Sequence, residues 1–169
     1  MAAHNLLAAS ELVVTFASGS TVAAEPEIAG PKTLAELLAT KRDLQVANPP
    51  DLNVLMANLK TEIDDDYGKL PFPVNIRLLG NDLEADGITK NQRPGELNLQ
   101  QKTLAEILTT IMTLANPDKD ITGPNDPNCK LIWVVGEDPE NPGQKAILIT
   151  TRAGAAKKSY ELPPAFRTE

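Results

Sequence analysis

Apolar residues recur at helical spacing in two stretches of the chain. One stretch follows Asp51 and runs to Ile63, and the other follows Thr103 and runs to Ile111. Both keep their leucines and isoleucines on one helix face. Glu106 stands three residues after Thr103, which is the spacing of a capping box. The pattern therefore predicts two amphipathic helices, of which the second is the stronger.

Other segments alternate with a period of two. Apolar and polar residues alternate at 74–78 and 95–100, which predicts half-buried strands. The continuous apolar runs 130–135 and 146–151 predict strands buried on both faces. The proline-containing segment 136–143 between them predicts an antiparallel hairpin. Together these elements predict an α+β fold, in which two helices pack on one small, mostly antiparallel sheet of three to four strands.

One phrase occurs twice, as KTLAELLAT at 32–40 and KTLAEILTT at 102–110. Each copy offers a threonine cap, a glutamate three residues later and apolar residues on one face, so two similar helix starts explain the echo. An old duplication stays open as the alternative. The first copy predicts a helix over 32–44, within an N-terminal extension that covers 1–49. Residues 1–24 fit either a degenerate secretion signal or a β-hairpin, and both interpretations stay open.

The run from about residue 70 to 152 resembles a bacterial domain family. Its phrases follow the family's order: VNIRLLG at 74–80, LEADGI at 83–88, TLAEILTTIM at 103–112 and AILITT at 146–151. The family is the secretin and TonB N-terminal (STN) short domain, and the chain is most similar to divergent copies in envelope proteins of planctomycete-type bacteria. The resemblance implies a domain over 50–155 that docks to proteins in the periplasm without catalysis. A C-terminal tail is expected at 156–169.

Composition narrows the choice of partner. Sixteen basic residues against twenty-three acidic ones give a net charge of −7 and a pI near 4.8. This balance argues against binding to nucleic acid or to anionic membrane surfaces, since both need a positive surface. The sequence has no uninterrupted run of about 20 apolar residues, so it predicts no membrane-spanning helix. We expect a protein partner or self-association, in the periplasm or cell envelope, with the cytoplasm as the alternative location.

The sequence contains none of the common catalytic patterns. Phosphate-loop, Rossmann, hydrolase-elbow, zinc-protease and CxxC motifs do not occur. The single cysteine, Cys129, excludes an intramolecular disulfide, and the single histidine, His4, lies near the start. The carboxylates at 64–66 stand at the C-terminal end of the helix predicted after Asp51, where negative charge opposes the helix dipole. We therefore expect a frayed, solvated helix end there. The sequence therefore predicts no catalytic residue and no cofactor, and a carboxylate-dependent hydrolase stays open only as the third alternative.

The phrase DLEADG is the nearest approach to a cation site. Asp82, Glu84 and Asp86 match the first three side-chain ligands of a calcium loop, but Arg93 stands where that loop needs a glutamate. The same letters fit a capped helical turn that Gly87 ends, which is the interpretation we favour. The alternative function is therefore a small-molecule or cation-binding domain that uses its acidic loops.

Trp133 and the loop at 116–129 are the candidates for contact with a partner. Trp133 lies in the middle of a predicted strand, where its ring either packs in the core or lines a groove. Asp118, Asp120 and Asp126 stand among prolines, so we expect them to form turns on a surface loop of the kind that often carries binding residues. The expected function is a non-catalytic interaction or scaffolding module of a bacterial cell-envelope assembly.

Overall fold

The computed structural model describes residues 30–168. The hairpin or signal predicted at 1–24 lies outside the described residues. Helices within them are α1 (Leu34–Ala39), α2 (Leu52–Tyr67), α3 (Gly80–Ala85), α4 (Leu104–Ala115), α5 (Arg152–Lys157) and a 3-10 turn (Pro164–Phe166). The strands are β1 (Lys41–Val46), β2 (Ile76–Leu78), β3 (Leu97–Thr103), β4 (Leu131–Asp138) and β5 (Asn141–Thr151). The α+β class predicted from the sequence is confirmed.

The strands form two sheets instead of the single sheet predicted. One sheet has the order β2-β5-β4, with β2 parallel and β4 antiparallel to β5. The other is an antiparallel pair of β1 and β3. Helix α4 begins directly after β3 and packs on β4, so it joins the two sheets through one core. The predicted hairpin of two buried strands is β4 and β5.

The prediction of a helix over 32–44 was wrong, because only Leu34–Ala39 is helical and β1 follows. Thr40 ends the helix in an extended conformation, and its carbonyl accepts a hydrogen bond from Leu104 N at 2.9 Å. Leu44 then packs in the core opposite Leu99 of β3. Residues that the sequence placed in an N-terminal extension thus share the core of the domain.

Helix α2 continues through the acidic run that was expected to fray. Arg42 of β1 explains the difference, because its guanidinium lies 3.5 Å from the Asp66 carboxylate and 5.9 Å from the centre of the Tyr67 ring. Lys60 pairs with Asp64 one turn earlier. Gly68 then ends the helix with φ of +59°, a conformation that glycine adopts without strain. The contacts that Arg42 of strand β1 makes with the end of α2 therefore outweigh the unfavourable effect of the helix dipole on the acidic run.

The hairpin turn is much shorter than the predicted loop 136–143. Strand β4 reaches Asp138 and β5 starts at Asn141. Asp138 is completely buried and accepts hydrogen bonds from Glu140 N at 3.0 Å, Asn141 Nδ2 at 2.9 Å and Asn75 Nδ2 at 2.8 Å. This carboxylate closes the turn and ties it to the segment before β2.

Candidate functional site

Strand β4 lies at one edge of its sheet, and the hydrogen-bonding direction of its residues alternates. Ile147 N donates to Asn75 O, and Leu79 N donates to Ile149 O, both at 2.9 Å, so these two residues of β5 face the β2 side. The residues between them must face β4. Because Leu148 lies opposite Val134 in the register, Val134 points its backbone groups towards β5.

The neighbouring residues of β4 therefore direct their backbone groups outward. Leu131 satisfies its outward N–H by donating to Asn116 Oδ1 at 3.2 Å. Trp133 and Val135, the next two outward residues, have no hydrogen-bond partner for their N–H and C=O groups within residues 30–168. Val135 is also 37% exposed, and among residues 30–168 the only other exposed large apolar residues are Val54 and Leu114. The edge thus presents two successive unpaired positions of a strand.

A groove runs beside this edge, with Trp133 in its floor. The indole is 4% exposed, and its Nε1 donates to Thr109 Oγ1 of α4 at 3.0 Å. Ala105 of α4 forms one wall and Pro163–Ala165 the other, around a volume of about 380 Å³. We call this space the Trp133 groove. Trp133 is therefore almost wholly buried, and its small exposed remainder lines the groove.

Charged groups stand at the rim of the groove. Glu106 accepts hydrogen bonds from Thr103 N at 2.8 Å and from Thr103 Oγ1 at 2.9 Å. The backbone N–H of Thr103, its hydroxyl and the ammonium of Lys102 hold the pKa of Glu106 below its ordinary value. Because Glu106 and Lys102 pair with each other at 3.4 Å, the groove has a neutral rim around an apolar interior.

The acidic residues of the loop at 116–129 form turns, as the sequence predicts. Asp126 accepts from Thr122 N at 2.9 Å and from Asn128 N at 2.8 Å, and these backbone donors lower its pKa. Asp118 accepts from the N–H of Asp120 at 2.9 Å, and both are exposed. The carboxylates of Asp118 and Asp126 therefore bond the loop's own backbone, and within residues 30–168 no three acidic side chains converge there.

The DLEADG segment forms α3, and its carboxylates do not converge either. Asp82 accepts from Thr150 Oγ1 at 2.6 Å and from Lys158 Nζ at 2.8 Å, while Glu84 is exposed and Asp86 half-buried. Burial acts to raise the pKa of Asp82, but the ammonium of Lys158 and the hydroxyl of Thr150 outweigh it and lower the pKa. Among residues 30–168 no group of three or more acidic, histidine or cysteine side chains is placed to hold a metal ion.

Two polar residues that the sequence did not single out hold the surroundings of β4 in place. Asn116 is fully buried at the end of α4, donating to Asp118 O at 2.8 Å and accepting from Lys130 N at 2.9 Å. The guanidinium of Arg152 donates to three carbonyls at 2.7–2.9 Å, those of Cys129, Phe166 and Pro124. Nothing in the pattern of the sequence distinguishes either residue from a surface residue, because their partners are backbone groups distant along the chain.

Arg152, Lys157 and Lys158 lie close together in the sequence, around the start of the tail expected at 156–169, but they do not form one solvated basic patch. Arg152 points inward, and Lys158 pairs with Asp82. Phe166, near the end of the chain, is fully buried. Of these three basic residues, only Lys157 is both exposed and free of an ion pair within the described residues.

In the described part of the chain, no helix combines the length and apolar character needed to cross a bilayer. No protein-family model, curated protein or solved structure matches the chain.

Proposed function

We propose that this protein is a non-catalytic interaction module that receives an extended segment of a partner protein along the outer edge of β4. The observation that carries the proposal is the pair of backbone positions at Trp133 and Val135, next to the Trp133 groove, which have no hydrogen-bond partner among residues 30–168. We call this combination of unpaired strand edge and groove the docking edge.

The chemistry of a strand edge suits an extended peptide. A partner strand can donate to and accept from the outward groups of Trp133 and Val135, which supplies affinity independent of its side chains. Alternate side chains of that strand then point to the same face, and one of them reaches the Trp133 groove. The partner is therefore an extended segment that carries an apolar or aromatic side chain for the groove.

The resemblance to the secretin and TonB short domain supports a place for this module in a bacterial cell-envelope assembly. In that family, docking to partner proteins is the general role of the domain. The net charge of −7 supports a protein partner over nucleic acid or an anionic membrane surface. The same proposal includes self-association, in which the partner is a second copy of the chain that carries the same edge.

Site-specific photocrosslinking in the native bacterium tests the proposal. The photoreactive residue p-benzoylphenylalanine replaces Val135 in the full chain, and Val54 of α2 is the matched control because it is a valine of similar exposure, 42% against 37%. We expect a discrete adduct from position 135 and none from position 54. Mass spectrometry then shows whether the adduct is a different protein or a second copy. Adducts of equal yield at both positions, or none at position 135, would contradict the proposal.

A further inference from the structure

The last described residues of the chain pass across the outer edge of β4. Tyr160 packs on one face of the sheet, where its ring carbon lies 3.0 Å from the place that a Cβ on Gly136 would occupy. Pro163–Ala165 lie against the opposite face, where they form a wall of the Trp133 groove. A chain that joins these two positions must cross the edge of β4 between them. We call residues 159–168 the C-terminal strap.

The two faces are distinguished by the register of the sheet. Gly136 lies opposite Ala146, and Ile132 opposite Thr150, so these residues share the face that α3 and α5 cover. Trp133 is one residue from Ile132 and therefore lies on the other face, with α4. The strap consequently leaves the α5 side of the sheet and arrives on the α4 side.

The strap shields the edge without pairing with it. Its backbone N–H groups bond locally, from Ser159 N to Ala156 O, from Tyr160 N to Ala155 O, from Phe166 N to Pro163 O and from Arg167 N to Pro164 O. Pro163 and Pro164 have no N–H to offer a strand. The outward groups of Trp133 and Val135 therefore keep their capacity to pair while the strap lies over them.

Tyr160 and Leu162 of the strap pack partly buried against the core, and the fully buried attachment is Phe166. Phe166 inserts its ring into the core, and its carbonyl accepts from Arg152 Nη1 at 2.7 Å. At the other end Ser159 has φ of +55°, a left-handed conformation that is strained for a residue with a side chain. If the strap lifts, Arg152 retains its bonds to Cys129 O and Pro124 O, so the loop beneath it stays closed.

We infer that the strap is an autoinhibitory guard of the docking edge. An extended segment of a partner adds to β4 as a new strand and displaces the strap, and an apolar side chain of that segment then takes the place of Pro163–Ala165 beside Trp133 and Ala105. The inference rests on the proposed function and adds the competitor that the partner must displace. A tethered segment competes at an effective concentration that reaches the millimolar range for short tethers, so it weakens the apparent affinity of any free strand. Releasing the strap should therefore tighten binding.

The test is a titration with a synthetic strand peptide, KTVTFTVTK, followed by the fluorescence of Trp133, which is the only tryptophan of the chain. The proteins are the full chain, the variant Phe166→Ala, which removes the strap's anchor, and Tyr160→Ser, which frees its other end. Phe72→Ala is the matched control, because Phe72 is only partly buried and lies outside the groove and the strap. Circular dichroism checks that each variant folds.

We expect Phe166→Ala and Tyr160→Ser each to bind the peptide at least about tenfold more tightly than the full chain, by release of the tethered competitor. Phe72→Ala should bind it as the full chain does. Equal affinity in all four proteins would overturn the guard while leaving the docking edge intact. Weaker binding in the two strap variants would also overturn it, since the strap would then be part of the site. If no protein binds the peptide, the docking edge itself is contradicted.

Discussion

The carboxylate of Asp82 lies directly against the backbone of Gly154. A Cβ on Gly154 would stand 2.7 Å from Asp82 Cγ and 2.8 Å from Thr150 Oγ1, closer than real Cβ contacts come. Asp82 also pairs with Lys158, the residue immediately before the C-terminal strap. The Asp82 carboxylate thus joins α3 to α5 over one face of the sheet and fixes the point from which the strap departs.

This close approach predicts that Gly154 tolerates no side chain. Gly154→Ala should lower the free energy of unfolding by about 1–3 kcal/mol, the usual cost of overpacking a buried site. Gly95→Ala is the control, because a Cβ there meets nothing within 4 Å. Urea unfolding of the two variants measures the difference, and equal stability of both would contradict the packing described for Asp82.

The ion pair of Asp82 also predicts a dependence of stability on pH. Because its pKa is lowered in the folded protein, the group contributes stability above its ordinary pKa of 3.8 and loses that contribution as the pH falls through the lower folded value. Lys158→Gln should therefore destabilise the protein at neutral pH and have less effect below the folded pKa. The unfolding temperatures of the two proteins, compared from neutral pH to a pH below the folded pKa of Asp82, measure this loss of stability. Lys157→Gln should have the smaller effect, since Lys157 acts on Asp82 only through its charge.

Because the side-chain amide of Asn116 is buried and hydrogen-bonded to several backbone groups, we expect its removal to destabilise the protein strongly. Asn116→Ala would leave Lys130 N, Leu131 N and the carbonyls of Asp118 and Asn128 without this partner. Leaving buried polar groups unpaired costs about 1–3 kcal/mol each, so we expect a loss of at least about 2 kcal/mol in the free energy of unfolding. Asn98→Ala, on the exposed side of β3, should change it by less than about 0.5 kcal/mol.

The two copies of the repeated phrase should differ in what their caps contribute. Thr103 and Glu106 form the full reciprocal box. In the first copy Thr33 accepts from Glu36 N at 3.1 Å, but Glu36 accepts from Lys32 N. Thr103→Ala should therefore cost about 1 kcal/mol, as capping threonines do, and Thr33→Ala should cost less because it ends a six-residue helix. The reverse order in chemical denaturation would contradict this account of the echo.

Calcium should not stabilise the protein. Asp82 is already neutralised by Lys158, and Glu84 and Asp86 have no third ligand beside them in the described structure. A ligand that binds only the folded state raises the unfolding temperature. We therefore expect the same unfolding temperature with millimolar calcium and with a chelator. A rise with calcium would favour the alternative function, the cation-binding domain.

The sequence predicted those elements whose determinants are local. Helix α4 carries its capping box and apolar stripe within its own residues, and both are present. Strand β1 was missed because only Leu44 and Val46 mark its buried side, and its pairing with β3 becomes visible only when the chain folds. The end of α2 was mispredicted for the same reason, since Arg42 of β1 stabilises it. Predictions based on neighbouring residues carry no information about contacts between residues that are distant along the chain.

The candidate site likewise has features that the sequence could predict and features that it could not. Trp133 could be singled out from the sequence as an indole in an apolar run, but which edge of β4 has no neighbouring strand among residues 30–168 follows only from the strand order β2-β5-β4. The strap could not be predicted, because its prolines and its polar neighbours resemble an ordinary tail. Its one polar contact with Arg152 runs to the carbonyl of Phe166, a backbone group that a sequence pattern does not reveal.

The rate of amide hydrogen exchange along β4, followed by NMR spectroscopy with and without the strand peptide KTVTFTVTK, tests the docking edge most directly. In the free protein we expect the amide of Val134 to be protected, because it faces Leu148 of β5, while the amides of Trp133 and Val135 exchange faster. Saturating peptide, used with Phe166→Ala, should slow exchange at Trp133 and Val135 specifically. Strong protection of both amides in the free protein, or no change at either when the peptide is added, would contradict the account.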